Sequence, residues 1–371
     1  MGSEITLSKP DLGGREEELI LEVVRSGRLS LGPMLERFEL EFAEWLGVED
    51  AIATSSGTTA LHLGVRSVGW GRGDRVVLSP FTFVASANAL LYEGVEPVFA
   101  DVDPETLNLT PEGAAAVVDG TITGVLPIDI FGFPCDMEGF ERLAGEAGLG
   151  LLEDGAQALG TIDRQGRKVG SRGTPTAFAF YANKQMTTGE GGMLIPRDRE
   201  EGERIRSERN QGRSADMSSL DHSGLGFNYR MSDVAAAIGV AQVERLDELL
   251  AARERVATLY SALLEGDERL TLPVFGSGSE VRSWFVYVVR LTEEIDRDGV
   301  IERLAGLGIP SKAYLPCVHT FPQFAEFGYA EGDFPIAEAA SRQALALPFH
   351  GSLDEAQVET VVARLKEALD A

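Results

Sequence analysis

Two features of this 371-residue chain predict an α/β fold with a mostly parallel sheet covered by helices. Short apolar runs such as Arg75-Val76-Val77-Leu78 alternate with amphipathic stretches of helical length through most of the chain. That alternation is the pattern of strands buried on both faces and joined by crossover helices. At Ser55-Ser56-Gly57-Thr58-Thr59, an apolar run gives way to a helix through a cluster rich in caps and free amides.

The elements follow in order. Residues 16–25 carry a short helical pattern, and residues 33–46 repeat it with Leu35, Phe38, Phe42, Trp45 and Leu46 on one face. Residues 51–54 read as a strand, and the helix after the serine and threonine cluster runs through Leu61, Leu63 and Val65. Strands are expected at 75–78, 97–100, 124–127, 150–154, 177–181 and 192–195, with helices at 85–91 and 137–146 between them. A single long helix is expected from residue 231 to about 263, followed by a linker or irregular edge rich in Gly, Pro and Ser over 266–280. A strand at 284–289 and helices at 299–307 and 353–369 complete the chain. This order divides it into a large unit, 1–250, and a smaller α+β unit, 251–371.

The charge balance limits what the chain can do. With 59 acidic against 33 basic residues the net charge is -26, which opposes gripping nucleic acid or adhering to an anionic membrane. A small anionic ligand remains compatible, because arginines and helix amides can act locally. Cys135 and Cys317 show neither metal spacing nor a disulfide framework, so a reducing, cytoplasmic setting is expected. The opening Met1-Gly2-Ser3-Glu4-Ile5 has no basic leader, and no stretch approaches a membrane span.

Chemistry collects around Lys184, one of only five lysines, in Tyr181-Ala182-Asn183-Lys184-Gln185 before the turn Gly189-Glu190-Gly191-Gly192. A buried lysine loses hydration when charged, which lowers its pKa and suits it to form a Schiff base with a carbonyl. Asp154, at the end of a predicted strand, is its best partner, because a carboxylate there can hold a protonated heteroaromatic nitrogen. Pyridoxal 5'-phosphate needs that arrangement, and Gln157 is near enough to reach the same ligand. On these residues alone, a surface lysine and a helix-capping aspartate remain the favoured readings. Arg204, Arg206, Arg209 and Arg213 read as a diphosphate site or, by default, as partners of the interleaved Glu200, Glu201, Glu203 and Glu208. Asn228 and Arg230 follow a glycine-rich turn and are candidate donors to an anion. His319 stands out among four histidines, while no zinc spacing and no Gly-x-Gly-x-x-Gly fingerprint occur.

A series of motifs in fixed order then carries a resemblance. Ser56-Gly57-Thr58, Gly71-Arg72-Gly73-Asp74 and Pro80-Phe81-Thr82-Phe83 come first. The run from Pro97 to Asp103, Glu153-Asp154-Gly155-Ala156-Gln157-Ala158, Asn183-Lys184 and Thr187-Thr188-Gly189-Glu190-Gly191-Gly192 follow, and Gly226-Phe227-Asn228-Tyr229-Arg230-Met231 ends the series. The chain resembles the DegT/DnrJ/EryC1/StrS family of sugar aminotransferases, a branch of the aspartate-aminotransferase fold group. The resemblance implies the type I fold of pyridoxal-phosphate-dependent transferases and names Lys184 as the Schiff-base lysine. It implies Asp154 on the ring nitrogen, Gln157 by the ring hydroxyl, Phe83 stacked on the ring, and Gly57 and Thr58 around the phosphate. Asn228 would reach the phosphate from a neighbouring copy, implying a homodimer with shared active sites.

The reaction implied is transfer of an amino group from L-glutamate to the keto carbon of a nucleotide-linked sugar, leaning toward a 4-keto-6-deoxy hexose. Tyr314 and His319 match a small-domain region that lies near the sugar nucleotide in relatives, and Arg230 joins them as a candidate substrate contact. The chain departs from many relatives at Ala179, where they carry a phosphate-binding serine. The alternatives are a sugar dehydratase using the same cofactor, which Lys184 argues against, and a regulatory relative without turnover.

Overall fold

A computed structural model of the chain describes residues 5–214, 221–222 and 224–371; residues 1–4, read above for a leader, lie outside these. The helices α1 (Gly14–Ser26) and α2 (Pro33–Leu46) each bury one apolar stripe, Leu19 and Val23 on the first, Leu35, Phe38 and Phe42 on the second. After them come β1 (Ile52–Thr54), α3 (Gly57–Ser67), β2 (Arg75–Leu78), α4 (Val84–Tyr92) and β3 (Glu96–Phe99). Next are α5 (Pro111–Ala115), β4 (Gly124–Val125), α6 (Met137–Ala147), β5 (Gly150–Leu151) and β6 (Glu153–Asp154). The short helix α5 has no periodic signal to announce it; Thr110 caps it and Pro111 occupies its first position. Then β7 (Thr176–Ala179), β8 (Gly192–Ile195) and α7 (Arg199–Arg209) follow.

These strands make one twisted surface. β2 pairs parallel with β3 and β4, and β4 with β5. β6 pairs parallel with β7, while β8 runs antiparallel between β7 and β1. The amides of Leu152 and Asp154 donate to Val125 and Pro127, so β5 and β6 are one interrupted strand that joins the two halves. The spatial order is β3-β2-β4-β5/β6-β7-β8-β1, with β8 alone reversed. Alternate residues reach opposite cores, as a period of two requires: Ala177 and Leu194 pack toward Leu61 and Phe81, Phe178 and Met193 toward Phe38 and Phe42.

The long helix expected from residue 231 is two helices, α8 (Asp233–Val243) and α9 (Leu246–Leu264). α8 is apolar around most of its surface and lies against α1 and α2. At Arg245 the backbone leaves helical geometry (φ -129°, ψ 22°), and its side chain pairs with Asp11 and Glu16. The break lets α8 stay in the first core while α9 crosses to a second: Leu246 and Leu249 belong to one cluster, Val256, Tyr260 and Leu264 to the other. Asp233, fully buried, caps the start of α2 through the amides of Gly32 and Met34.

The remainder forms β9 (Leu270–Thr271), β10 (Tyr287–Leu291), α10 (Arg297–Gly306), β11 (Lys312–Ala313), α11 (Pro335–Gln343), β12 (Ala344–Leu347) and α12 (Glu355–Asp370). Its antiparallel sheet has the order β11-β12-β10-β9. The strand expected from residue 284 starts at Tyr287, because the Ser283 amide bonds instead to Gly132 O, which belongs to the first sheet's loops. Among the described residues no helix is long and apolar enough to cross a membrane, and no cluster of three metal-ligand side chains occurs.

Candidate active site

Loops leaving the C-terminal ends of β1, β2, β6 and β7 converge at one edge of the large sheet, where open α/β sheets gather their functional groups. At β1 the chain turns through Ser56, whose Oγ accepts from the Thr59 amide at 3.2 Å and starts α3. The Thr59 hydroxyl accepts from the Ser56 amide at 3.0 Å, closing the turn from the other side. The amides of Gly57 and Thr58, the first two of the helix, have no acceptor inside it by position. Gly57 is required sterically: a Cβ there would fall 2.5 Å from Ala179 Cβ, so the helix start lies directly on the end of β7.

Asp154 is 4% exposed at the end of β6. Ser86 Oγ, on α4, donates to its Oδ2 at 2.6 Å, and the Ala156 amide donates to Oδ1 at 3.0 Å. The helix cap expected from the sequence is absent: no helix directly follows β6, residues 155–160 form turns, and the Ala156 amide closes only a local turn on Asp154. Burial raises its pKa, partly offset by Ser86, Ala156 and the charge of Lys184. Asp154 forms no ion pair within 4.0 Å among the described residues, so its carboxylate still lacks a contacting cation.

Behind it, on the opposite side of the strand, Glu153 accepts from Thr176 Oγ1 at 2.8 Å. Glu153 Oε1 and Asp129 Oδ2 are buried without hydrogen-bond partners; burial holds both carboxyls above their usual range, helped by the Glu153 charge at Asp129 and by Asp163 and Glu141 at Glu153.

Lys184 follows the turn after β7 and is half-buried. Its Nζ lies 3.9 Å from the centre of the Phe285 ring. Burial lowers the amine to about 8, with Asp154 opposing and the Arg253 cation assisting. Gln185 donates to Gln157 O at 2.7 Å and to Ser283 Oγ at 3.1 Å, fixing the segment beside it. Gln157 accepts from the Phe131 amide at 2.9 Å through Oε1, which leaves its Nε2 as the end able to donate. Phe131 sits at a positive φ of 53°, held there by that bond and by its burial.

Phe83 immediately precedes α4 and is 59% exposed, three residues from Ser86. Asn228 is exposed and bridges to Asn210, while Arg230 bonds Asn210 Oδ1 at 2.9 Å. Tyr314 shares a cavity with Asn183 and Phe285. His319 is placed differently from a residue facing an open cleft: it is 1% exposed, edge-on to Phe334 and Phe99, with Nε2 3.3 Å from Glu338 Oε1. No described contact joins His319 to Lys184 or Asp154.

Three arginines of α7 bond within the chain. Arg206 pairs with Asp50 and Glu39, Arg209 with Glu39, and Arg204 donates to Ser67 O at 2.7 Å. Sequence reasoning gave no weight to Ser86, Phe285 or Arg253, because nothing local marks a serine on an apolar helix or a distant aromatic as a neighbour of Lys184.

A sequence model of the DegT/DnrJ/EryC1/StrS aminotransferase family matches residues 10–366. The chain belongs to this family. The aminotransferase is 39% identical to a GDP-perosamine synthase of Caulobacter vibrioides, over 98% of each chain. It is 35% identical to a dTDP-4-dehydro-2,3,6-trideoxy-D-glucose 4-aminotransferase of Saccharopolyspora spinosa, covering 99% of this chain and 97% of that one. The aminotransferase TlmJ of Streptoalloteichus hindustanus superposes with a TM-score of 0.92 at 34% identity, over 99% of each chain. This DegT/DnrJ/EryC1/StrS member has the type I fold and uses pyridoxal phosphate. Its residues fit that cofactor: a buried carboxylate without a contacting cation, an amine lowered toward neutrality, a capped helix start with free amides, and an exposed aromatic face.

Proposed function

We propose that this aminotransferase moves the amino group of L-glutamate to the keto carbon of a nucleotide-linked hexose, a 4-keto-6-deoxy sugar by preference. The products are 2-oxoglutarate and the amino sugar. The observation that carries the reading is the half-buried Lys184, its amine lowered to about 8, on the same sheet edge as the buried Asp154. Two sugar aminotransferases that match nearly the whole chain support the substrate class.

Bound pyridoxal phosphate supplies an aldehyde that amines attack and a ring that takes up electrons. Lys184 would anchor it covalently and, once displaced, would take the donor's α-proton at Nζ as base and hand it on as acid within the same half-reaction, then run that transfer in reverse toward the sugar. Asp154, oriented by Ser86, holds the protonated ring nitrogen and stays ionised because that cation relieves its burial. Phe83 stacks on the ring, Gln157 donates toward the ring hydroxyl, and the amides of Gly57 and Thr58 hold the phosphate.

Asn228 reaches the phosphate from a second copy of the chain, which makes the working unit a homodimer; its exposure on one chain suits that role. Arg230 and Tyr314 border the sugar nucleotide. His319 is assigned to the same region only through the wall that carries it, since its ring is enclosed. The cofactor-binding unit spans 1–250 and the smaller unit 251–371, with the boundary inside α9, whose two ends serve different cores. A cytoplasmic setting accords with two buried free thiols.

The test is a panel of nucleotide-linked keto sugars incubated with 15N-labelled glutamate and followed by mass spectrometry. Nitrogen from glutamate should appear in the sugar, and Lys184→Ala should abolish it. A product that has lost a hydroxyl and gained no label would replace transfer with dehydration.

A further inference from the structure

Arg253 is a cation buried in α9, 5% exposed, with no carboxylate in ion-pair contact among the described residues. A buried arginine ordinarily faces an acid, because desolvating an unpaired charge is costly. Here the guanidinium bonds main-chain oxygens instead. Nη2 donates to Lys184 O at 2.8 Å and to Asn183 O at 3.4 Å. Nη1 donates to Phe285 O at 3.2 Å and to Trp284 O at 3.4 Å. One planar fork therefore grips two segments far apart in sequence.

Those two segments carry the two groups that meet at the amine: Lys184 itself and the Phe285 ring 3.9 Å from its Nζ. A neutral side chain could tie two loops together, as Gln185 does nearby between Gln157 and Ser283. A neutral tie would not discourage protonation of a neighbouring amine, whereas a fixed cation does.

We propose that Arg253 is the positioning residue of the Lys184 amine, its fork fixing the backbone beneath the lysine and beneath the ring that covers it. This rests on Lys184 being the covalent anchor. The titratable groups around the amine are few. Asp154 pulls its pKa up and Arg253 pushes it down. Lys9 and Asp11, from the N-terminal segment, line a cavity shared with Lys184 and Arg253. His350 also faces Arg253 and is pushed down to about 4, first by burial and then by that cation, so it is neutral at working pH. Arg253 is itself lowered to about 10 by burial and stays charged there.

The experiment titrates Lys184 directly, without the cofactor. The full chain has five lysines, so 13C reductive methylation yields a short set of NMR signals, and a Lys184→Arg spectrum identifies the one of interest. The wild-type amine should titrate near 8. Arg253→Met should move it upward by about one pH unit, and the alkaline rise of the holoenzyme's kcat–pH profile should move with it. Arg253→Lys keeps a charge but not the fork, so it should leave the titration within a few tenths of a unit. Its kcat should nonetheless fall by about tenfold, with KM for the keto sugar unchanged.

A folded Arg253→Met chain that titrates like wild type overturns the inference. If that variant does not fold, Arg253→Lys decides, and an unchanged kcat there overturns it as well. Borohydride reduction of the wild-type holoenzyme separates the two readings. Fixation on another lysine removes the anchor role of Lys184. Fixation on Lys184 with an unmoved Arg253→Met titration removes only the role of Arg253.

Discussion

Ser86 Oγ donates a 2.6 Å hydrogen bond to Asp154 Oδ2, tying the start of α4 to the end of β6 with both side chains buried. The bond holds the carboxylate in one orientation and opposes the rise in its pKa that burial imposes. Ser86→Ala removes a donor to a charged acceptor, a loss of about 1.5–3 kcal/mol. Cofactor affinity should fall roughly 10- to 100-fold, measured by absorbance titration with pyridoxal phosphate. Unchanged affinity would show that Asp154 is oriented without Ser86.

Ala179 touches the start of α3, and a hydroxyl there would face the same opening as the Gly57 and Thr58 amides. Ala179→Ser should tighten cofactor binding by about 1 kcal/mol, a roughly five-fold change. Gly57→Ala should do the reverse. Its Cβ would overlap Ala179 and push the helix start away, with a cost of about 1–3 kcal/mol visible in urea unfolding.

The lowered amine of Lys184 carries a stability signature. Its value is about 8 in the folded chain and about 10.4 when unfolded, so between these limits the unfolded chain binds more protons. Stability of the cofactor-free chain should therefore rise with pH through that window and be depressed by a constant amount below it. Lys184→Met should stabilise at pH 7 by about 1–3 kcal/mol, allowing for the partial exposure of the side chain. The advantage should shrink toward pH 10; a widening gap in urea melts would contradict it.

Asp129 and Glu153 carry the opposite sign. Their raised carboxyls let the folded chain hold more protons than the unfolded one above about pH 4, so they lower stability as pH rises through the folded values. Asp129→Asn keeps an acceptor for the Cys135 amide and gives Glu153 Oε1 a candidate donor. It should match wild type near pH 4 and exceed it at pH 8 by about 1–3 kcal/mol in thermal or urea unfolding.

Much of the frame was legible in the residues. Helix 33–46 and strand 192–195 run where periodicity places them, because one-sided burial and backbone pairing are decided within a few residues. The errors have equally local causes. The predicted helix from 231 onward breaks at Arg245, since a continuous apolar pattern cannot reveal that its two halves serve different cores. α5 and α11 escaped notice because each is short and begins at a proline rather than with a long stripe.

By itself, the sequence determined the alternation of strands and helices, the placing of Asp154 at one strand end and Lys184 beyond another, and the glycine that opens α3. Those follow from spacing and side-chain type, which act along the chain. Only the tertiary structure decided that Ser86 meets Asp154 across 68 positions and that Arg253 grips Lys184 across 69. The same holds for the Phe285 ring over the amine and the enclosure of His319 among aromatics. Such contacts depend on how separate elements dock, and burial supplies the energy for docking without regard to distance along the chain.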